Sequence, residues 1–106
     1  MKILVMDDDP TIRDILARIF QKMGHKVDSF SKGEEINRFD FDLYVLDLEN
    51  SLGMGGIETM KKILQHGVTV NIVLMSGNHF ALADAEAKWG VRVLPKPFSM
   101  TDVTRL

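Results

Sequence analysis

Residues 41–50 read FDLYVLDLEN, an apolar run that ends at Asp47 and leads into a glycine-rich loop. Apolar residues fill positions 43–46 without polar alternation, which is typical of a strand buried on both faces of a parallel sheet. Open α/β sheets bind their ligands in the crevice beyond the carboxyl ends of the strands. The stretch therefore predicts that Asp47 lies at a ligand-binding edge.

Composition is that of an ordinary globular chain. The 106 residues, 45% of them hydrophobic, predict a single domain over residues 1–106. The net charge of −2 and the lack of a Lys/Arg cluster argue against direct contact with nucleic acid. The absence of cysteine excludes disulfides and thiolate metal sites. The opening run is too short for a secretory signal, and no segment has the apolar length of a membrane span, so we expect a cytoplasmic protein.

Strand and helix patterns alternate along the whole chain. Apolar runs predict strands at 2–6, 41–46, 70–75 and 91–94, and the alternating sequence KVDSF predicts a more exposed strand at 26–30. Helices are predicted from Pro10 to Gly24, over about two turns within 31–39, from Gly55 or Gly56 to Gly67, over 79–89, and from Ser99 to a short or truncated end. The expected inward positions are Ile12, Ile15, Leu16, Ile19, Phe20, Met23, Ile57, Met60, Ile63 and Leu64. This order predicts a doubly wound α/β fold with a parallel sheet and helices on both faces.

Polar residues follow the apolar strands directly. Asp7 and Asp8 follow the first strand, Asp47 ends the third, Ser76 the fourth and Lys96 the fifth. All should lie at one edge of the sheet, where three close carboxylates repel one another unless a cation joins them. Ligation by oxygen alone suits Mg²⁺. Ser76 and Lys96 would then supply a hydroxyl donor and a positive charge to the oxygens of a phosphoryl group.

Five motifs carry a family resemblance. In order they are ILVMDDDPTIR, FDLYVLD, GMGGIE, VLMSG and VLPKPF. Together the motifs resemble the receiver domain of two-component response regulators over essentially the whole chain. The resemblance implies a flavodoxin-like fold of five parallel strands in the order 2-1-3-4-5.

The resemblance also implies roles at the sheet edge. Asp47 would be the phospho-acceptor, and Asp8 would ligate Mg²⁺ directly, with Asp7 acting mostly through water. The backbone carbonyl of Glu49 would be a further metal ligand. Ser76 would be the switch hydroxyl, and Lys96 the lysine of the family pattern, with a cis bond to Pro97.

The resemblance further implies a signalling switch that catalyses its own phosphoryl transfer and dephosphorylation, and not an enzyme with a separate substrate. Its partners would be a sensor histidine kinase or phosphotransfer protein. Homodimerisation could use the face formed by the helix at 79–89, the fifth strand and the last helix. An output domain or partner would read the switch.

The chain departs from the family pattern in four places. Ser51 stands where a proline is usual, and the run NSLGMGG is one residue longer than usual. Val93 stands where the family often has an aromatic partner for the switch hydroxyl. The second helix is about a turn short.

Two other functions are compatible with the same residues. A small Mg²⁺-dependent phosphohydrolase could use Asp47 as an aspartyl nucleophile, with Asp47-Leu-Glu49 as its acidic element. A chain of this length, however, leaves no cap to enclose a substrate. A degenerate receiver could serve only as a dimerisation or docking module, although the intact acidic cluster argues against that role.

Overall fold

The apolar run that ends at Asp47 forms the central strand of a parallel sheet. The computed structural model describes residues 1–67 and 71–106. In these residues the strands are β1 (Lys2–Met6), β2 (Lys26–Phe30), β3 (Leu43–Asp47), β4 (Asn71–Ser76) and β5 (Arg92–Pro95), in the order β2-β1-β3-β4-β5. The helices are α1 (Pro10–Lys22), α2 (Gly56–Gln65), α3 (His79–Trp89) and the short α4 (Met100–Thr104), together with a 3₁₀ helix at Gly33–Glu35. The predicted fold class and strand order are confirmed.

Strand β3 is buried on both faces, as its unbroken apolar sequence predicts. Val45 lies in register with Val5 of β1 and Val73 of β4. Alternate residues of the strand enter two separate cores: Val45 packs in the core that includes residues of α1 and α4, and Leu46 in the core that includes residues of α2 and α3. Helices therefore cover both faces of the sheet and leave its carboxyl edge to the loops.

Local capping explains where the helices begin and end. The Asp9 side chain accepts a hydrogen bond from the Thr11 N–H at 2.8 Å, which caps α1. Gly24 follows α1 with a φ of +90°, a conformation that glycine adopts without strain. Ser99 and Asp102 form a reciprocal capping box at α4, as their spacing predicts.

The predicted two-turn helix within 31–39 is wrong. The structure has only the single 3₁₀ turn, and Ile36 is already extended, with a ψ of 115°. The Glu35 carboxylate accepts hydrogen bonds from Ser31 and Lys32, which closes the turn locally. Beyond it, Ile36 is buried in the core and the Phe39 ring stacks on His66 at 3.7 Å between centroids. Packing of an extended segment therefore outweighs a weak helical preference here.

The prediction that side chains face inward is wrong at three positions. Ile15, Met23 and Leu64 are 41%, 42% and 47% exposed. Each lies at the margin of an apolar stripe that is wider than the helix surface in contact with the sheet.

Some predicted strand boundaries shift by one or two residues, which is the usual uncertainty for element ends. Val70, predicted as the first residue of the fourth strand, lies outside the described residues. Within residues 1–67 and 71–106, none of the helices has the length and apolar character needed to cross a membrane.

Candidate functional site

Four strand ends bring their polar residues to one edge of the sheet. Asp7 follows β1 directly, Asp47 is the last residue of β3, and Ser76 is the last residue of β4. All three are almost fully buried. Lys96 follows β5, and its N–H donates to the Ser76 carbonyl at 2.9 Å. The structure therefore brings together the residues that the sequence places at strand ends.

Asp7, Asp8 and Asp47 form a compact acidic cluster. Each offers one carboxylate oxygen, and the three oxygens lie within 4.8 Å of one another. The Asp9 N–H donates to the Asp7 carboxylate at 2.9 Å. The Arg13 guanidinium donates to the Asp7 backbone carbonyl at 2.7 Å and fixes the turn between β1 and α1. This contact of Arg13 was missed by the sequence analysis, because nothing in the α1 pattern indicates where its side chain lies.

Lys96 supplies the counter-charge to this cluster. Its ammonium lies 2.7 Å from the Asp7 carboxylate and 3.3 Å from that of Asp47. Burial lowers the pKa of the Lys96 ammonium, but the hydrogen bond to Asp7 and the charges of both aspartates outweigh burial and leave the pKa above its ordinary value. The bond from Lys96 to Pro97 is cis, as the family pattern predicts.

One ammonium does not neutralise three carboxylates. Burial and then repulsion by Asp7 raise the pKa of Asp47 to about 7, although Lys96 acts in the opposite direction. Burial also raises the pKa of Asp7, against the lowering effect of the Lys96 hydrogen bond. Two buried carboxylates and a partly exposed third, set this close together, fit a hard divalent cation. Asp7, Asp8 and Asp47 could therefore hold Mg²⁺.

Asp8 is held by the loop that follows β3. Its carboxylate accepts hydrogen bonds from both the hydroxyl and the backbone N–H of Ser51, the latter at 3.1 Å. The hydroxyl contact is the main reason why the pKa of Asp8 lies below its ordinary value. In the sequence, Ser51 stands out only as a departure from the family pattern, and nothing there predicts its contact with Asp8.

Glu49 contacts the site through its side chain, whereas the sequence predicts a role only for its backbone carbonyl. The Ser76 hydroxyl donates to the Glu49 carboxylate at 2.7 Å and accepts from the Asn78 N–H at 2.8 Å. The side-chain contact was not predicted. The role of the Glu49 carbonyl as a metal ligand stays a prediction.

Two other side chains border the site. Val93 is half-buried and packs against the core that contains Leu46, so the position holds no aromatic ring beside Ser76. The His79 ring lies 3.3 Å from the Lys96 carbonyl. His79 therefore contacts the backbone that carries Lys96, and not the acidic cluster.

Comparison with known proteins gives a consistent result. Residues 3–106 match the family model described as the response regulator receiver domain. The chain is 32% identical over 97 residues to the nitrate/nitrite response regulator protein NarP of Escherichia coli, covering 81% of this chain and 45% of that protein. It is 28% identical to the response regulator receiver protein CpdR of Brucella abortus, covering 96% of this chain and 89% of that one.

Solved structures agree with the sequence comparison. The response regulator TrrA of Thermotoga maritima, crystallised with Mg²⁺ and BeF, superposes with a TM-score of 0.85 at 28% identity, covering 98% of this chain and 93% of that one. The present chain spans less than half of several curated relatives, such as NarP.

Proposed function

The chain belongs to the response regulator receiver domain family of two-component signalling, and from this premise we propose that residues 1–106 act as one receiver domain phosphorylated on Asp47. The donor is a sensor histidine kinase or a phosphotransfer protein. The observation that carries the proposal is the position of Asp47, which lies at the end of the central strand between two further aspartates and Lys96.

The position of Asp47 at the strand end supports its proposed role as acceptor. One of its carboxylate oxygens forms the new bond to phosphorus, while the P–N bond of the donor phosphohistidine breaks and its electron pair stays on the imidazole nitrogen. Attack requires the ionised carboxylate, whose formation burial and Asp7 oppose. Lys96 favours ionisation because its ammonium lies 3.3 Å from Asp47.

The acidic cluster would hold Mg²⁺ through Asp8 and Asp47, with Asp7 acting mostly through water and the Glu49 carbonyl as a further ligand. When bound, the ion offsets the negative charge of the phosphoryl oxygens. The complex of TrrA with Mg²⁺ and BeF supports this assignment by similarity.

Ser76 and Lys96 would recognise the modified aspartate. Both lie at the same edge as Asp47, and both can donate to a phosphoryl oxygen. Such contacts would shift an equilibrium between two conformations and so control an output domain or partner.

The family also suggests how this domain meets other molecules. Charged residues Glu86, Arg92, Asp102 and Arg105 border the face formed by α3, β5 and α4, and this face could support a homodimer. We propose a cytoplasmic location, with no contact to membrane or nucleic acid from this domain. Light scattering with and without beryllofluoride tests the dimer.

The central experiment treats the protein with acetyl phosphate and Mg²⁺ and measures its intact mass. We expect one phosphoryl group on the wild-type chain and none on Asp47→Asn. Beryllofluoride with Mg²⁺ should perturb amide resonances around Asp47. Unchanged mass and unchanged spectra would overturn the proposal. Turnover of a generic phosphate ester that is lost in Asp47→Asn would instead support a phosphohydrolase, and the absence of both phosphorylation and Mg²⁺ binding would support a docking module.

A further inference from the structure

The loop of residues 48–55 contacts the site at two points. Ser51 donates its N–H and its hydroxyl to one carboxylate oxygen of Asp8. The Glu49 carboxylate accepts a hydrogen bond from the Ser76 hydroxyl. We propose that Ser51 and Glu49 are positioning residues that close this loop over the site and compete there with the metal ion and the phosphoryl group. The inference rests on the proposed function.

Ser51 competes for Asp8. Hydrogen bonds to a charged carboxylate are shorter and stronger than neutral ones, and here two converge on one oxygen and fix the orientation of the carboxylate. Mg²⁺ demands near-ideal geometry from its ligands. Ser51 thus occupies one oxygen of Asp8, and a reorientation of this carboxylate toward the ion would stretch or break the two hydrogen bonds and so weaken metal binding.

Glu49 competes for Ser76. The Ser76 hydroxyl has one proton to donate, and the Glu49 carboxylate accepts it at 2.7 Å. Ser76 is buried, whereas Glu49 is exposed, so Glu49 is the partner with room to leave. A phosphoryl group on Asp47 would accept the hydrogen bond from the Ser76 hydroxyl in place of Glu49. Its negative charge would also repel the Glu49 carboxylate.

The rest of the loop connects these contacts to a neighbouring segment. The Asn50 amide donates to the Ser31 carbonyl at 2.7 Å. The Met54 N–H donates to the Glu34 carboxylate at 2.6 Å. Release of Ser51 and Glu49 therefore alters the surface formed by this loop and residues 31–35.

Calorimetric Mg²⁺ titration tests the Ser51 contact. Ser51→Ala removes the hydroxyl, and Ser51→Thr is the matched control that keeps it. We expect Ser51→Ala to bind Mg²⁺ roughly threefold to tenfold more tightly than the wild type, the range that the net free energy of one ordinary intramolecular hydrogen bond supports. Equal or weaker binding by Ser51→Ala would show that Ser51 does not compete with the metal.

Beryllofluoride titration at saturating Mg²⁺ tests the Glu49 contact. Glu49→Ala and Glu49→Gln carry the same charge and both keep the backbone carbonyl, but only glutamine can still accept from Ser76. We expect tighter binding by Glu49→Ala than by Glu49→Gln. Equal affinities would overturn the role of Glu49.

The wild-type titrations distinguish failure of the proposed function from failure of the roles of Ser51 and Glu49. Mg²⁺ and beryllofluoride binding by the wild type, with no difference among the variants, would overturn this inference and leave the proposed function standing. Failure of the wild type and every variant to bind either probe would overturn the proposed function. Both positions are exposed, and circular dichroism checks that each variant folds.

Discussion

Asp47→Asn should stabilise the protein in a strongly pH-dependent way. The raised pKa of Asp47, about 7 against an ordinary 3.8, means that the folded protein binds a proton which the unfolded chain releases. Below pH 3.8 the side chain is protonated in both states and has no effect. Between pH 3.8 and 7 the folded state loses stability as pH rises, and above pH 7 the loss is complete.

The magnitude follows from the pKa difference. Each pH unit in that interval costs the folded state up to about 1.4 kcal/mol, so the full penalty at pH 8 is of the order of 4 kcal/mol. Asparagine resembles the protonated acid in shape and escapes this penalty. We expect Asp47→Asn to raise the free energy of unfolding by roughly 2–4 kcal/mol at pH 8 and by much less at pH 4.5.

Urea denaturation of both proteins at pH 4.5, 6 and 8, without divalent cations, measures the difference directly. Carboxylates away from the site titrate equally in both proteins and cancel, whereas Asp7 and Lys96 interact with Asp47 and contribute to the measured difference. Asp84→Asn, an exposed acid on α3, is the control and should show no such pH dependence. A stability difference that is absent at pH 8, or the same at all three pH values, would refute the description of Asp47 as a buried, repelled carboxylate.

Three further substitutions test other parts of the structure. Lys96→Met removes the ammonium that lies 2.7 Å from Asp7. It should lower the free energy of unfolding by roughly 2–4 kcal/mol at pH 8, and by less at pH 5, where Asp47 is protonated. Urea denaturation that shows no loss of stability at pH 8 would contradict this prediction. Gly56→Ala places a Cβ 2.8 Å from the Leu48 Cα and should cost about 1–3 kcal/mol, whereas Gly77→Ala meets open space and should be nearly neutral in thermal melts. Ser99→Ala breaks the capping box of α4 and should cost about 1 kcal/mol by urea denaturation; an unchanged midpoint would show that α4 is held by packing alone.

The sequence predicts the parts of the fold that depend on local pattern. Helix α1 follows from its apolar spacing and from Asp9 before Pro10, and the structure confirms its start and its cap, while its last helical residue is Lys22. The convergence of Asp7, Asp47, Ser76 and Lys96 follows from a single rule, because the carboxyl ends of parallel strands share one edge.

The features that the sequence does not predict depend on contacts between distant segments. The segment after Glu35 is extended because Ile36 is needed in the core, which no local propensity indicates. The hydrogen bonds of Ser51 to Asp8 and of Ser76 to Glu49 join residues 43 and 27 positions apart. They depend on the path of an irregular loop, for which the sequence pattern supplies no period.

The ion pair between Lys96 and Asp7 spans 89 positions of the chain. Asp47 and its counter-charge therefore come together only after β5 has joined a sheet whose first strand was synthesised long before. A nascent or partly assembled chain has the carboxylates without the ammonium that favours their ionised form. On the proposed function, the site would become competent for phosphorylation only at this last stage of assembly, and immature copies of the protein would not react with the donor.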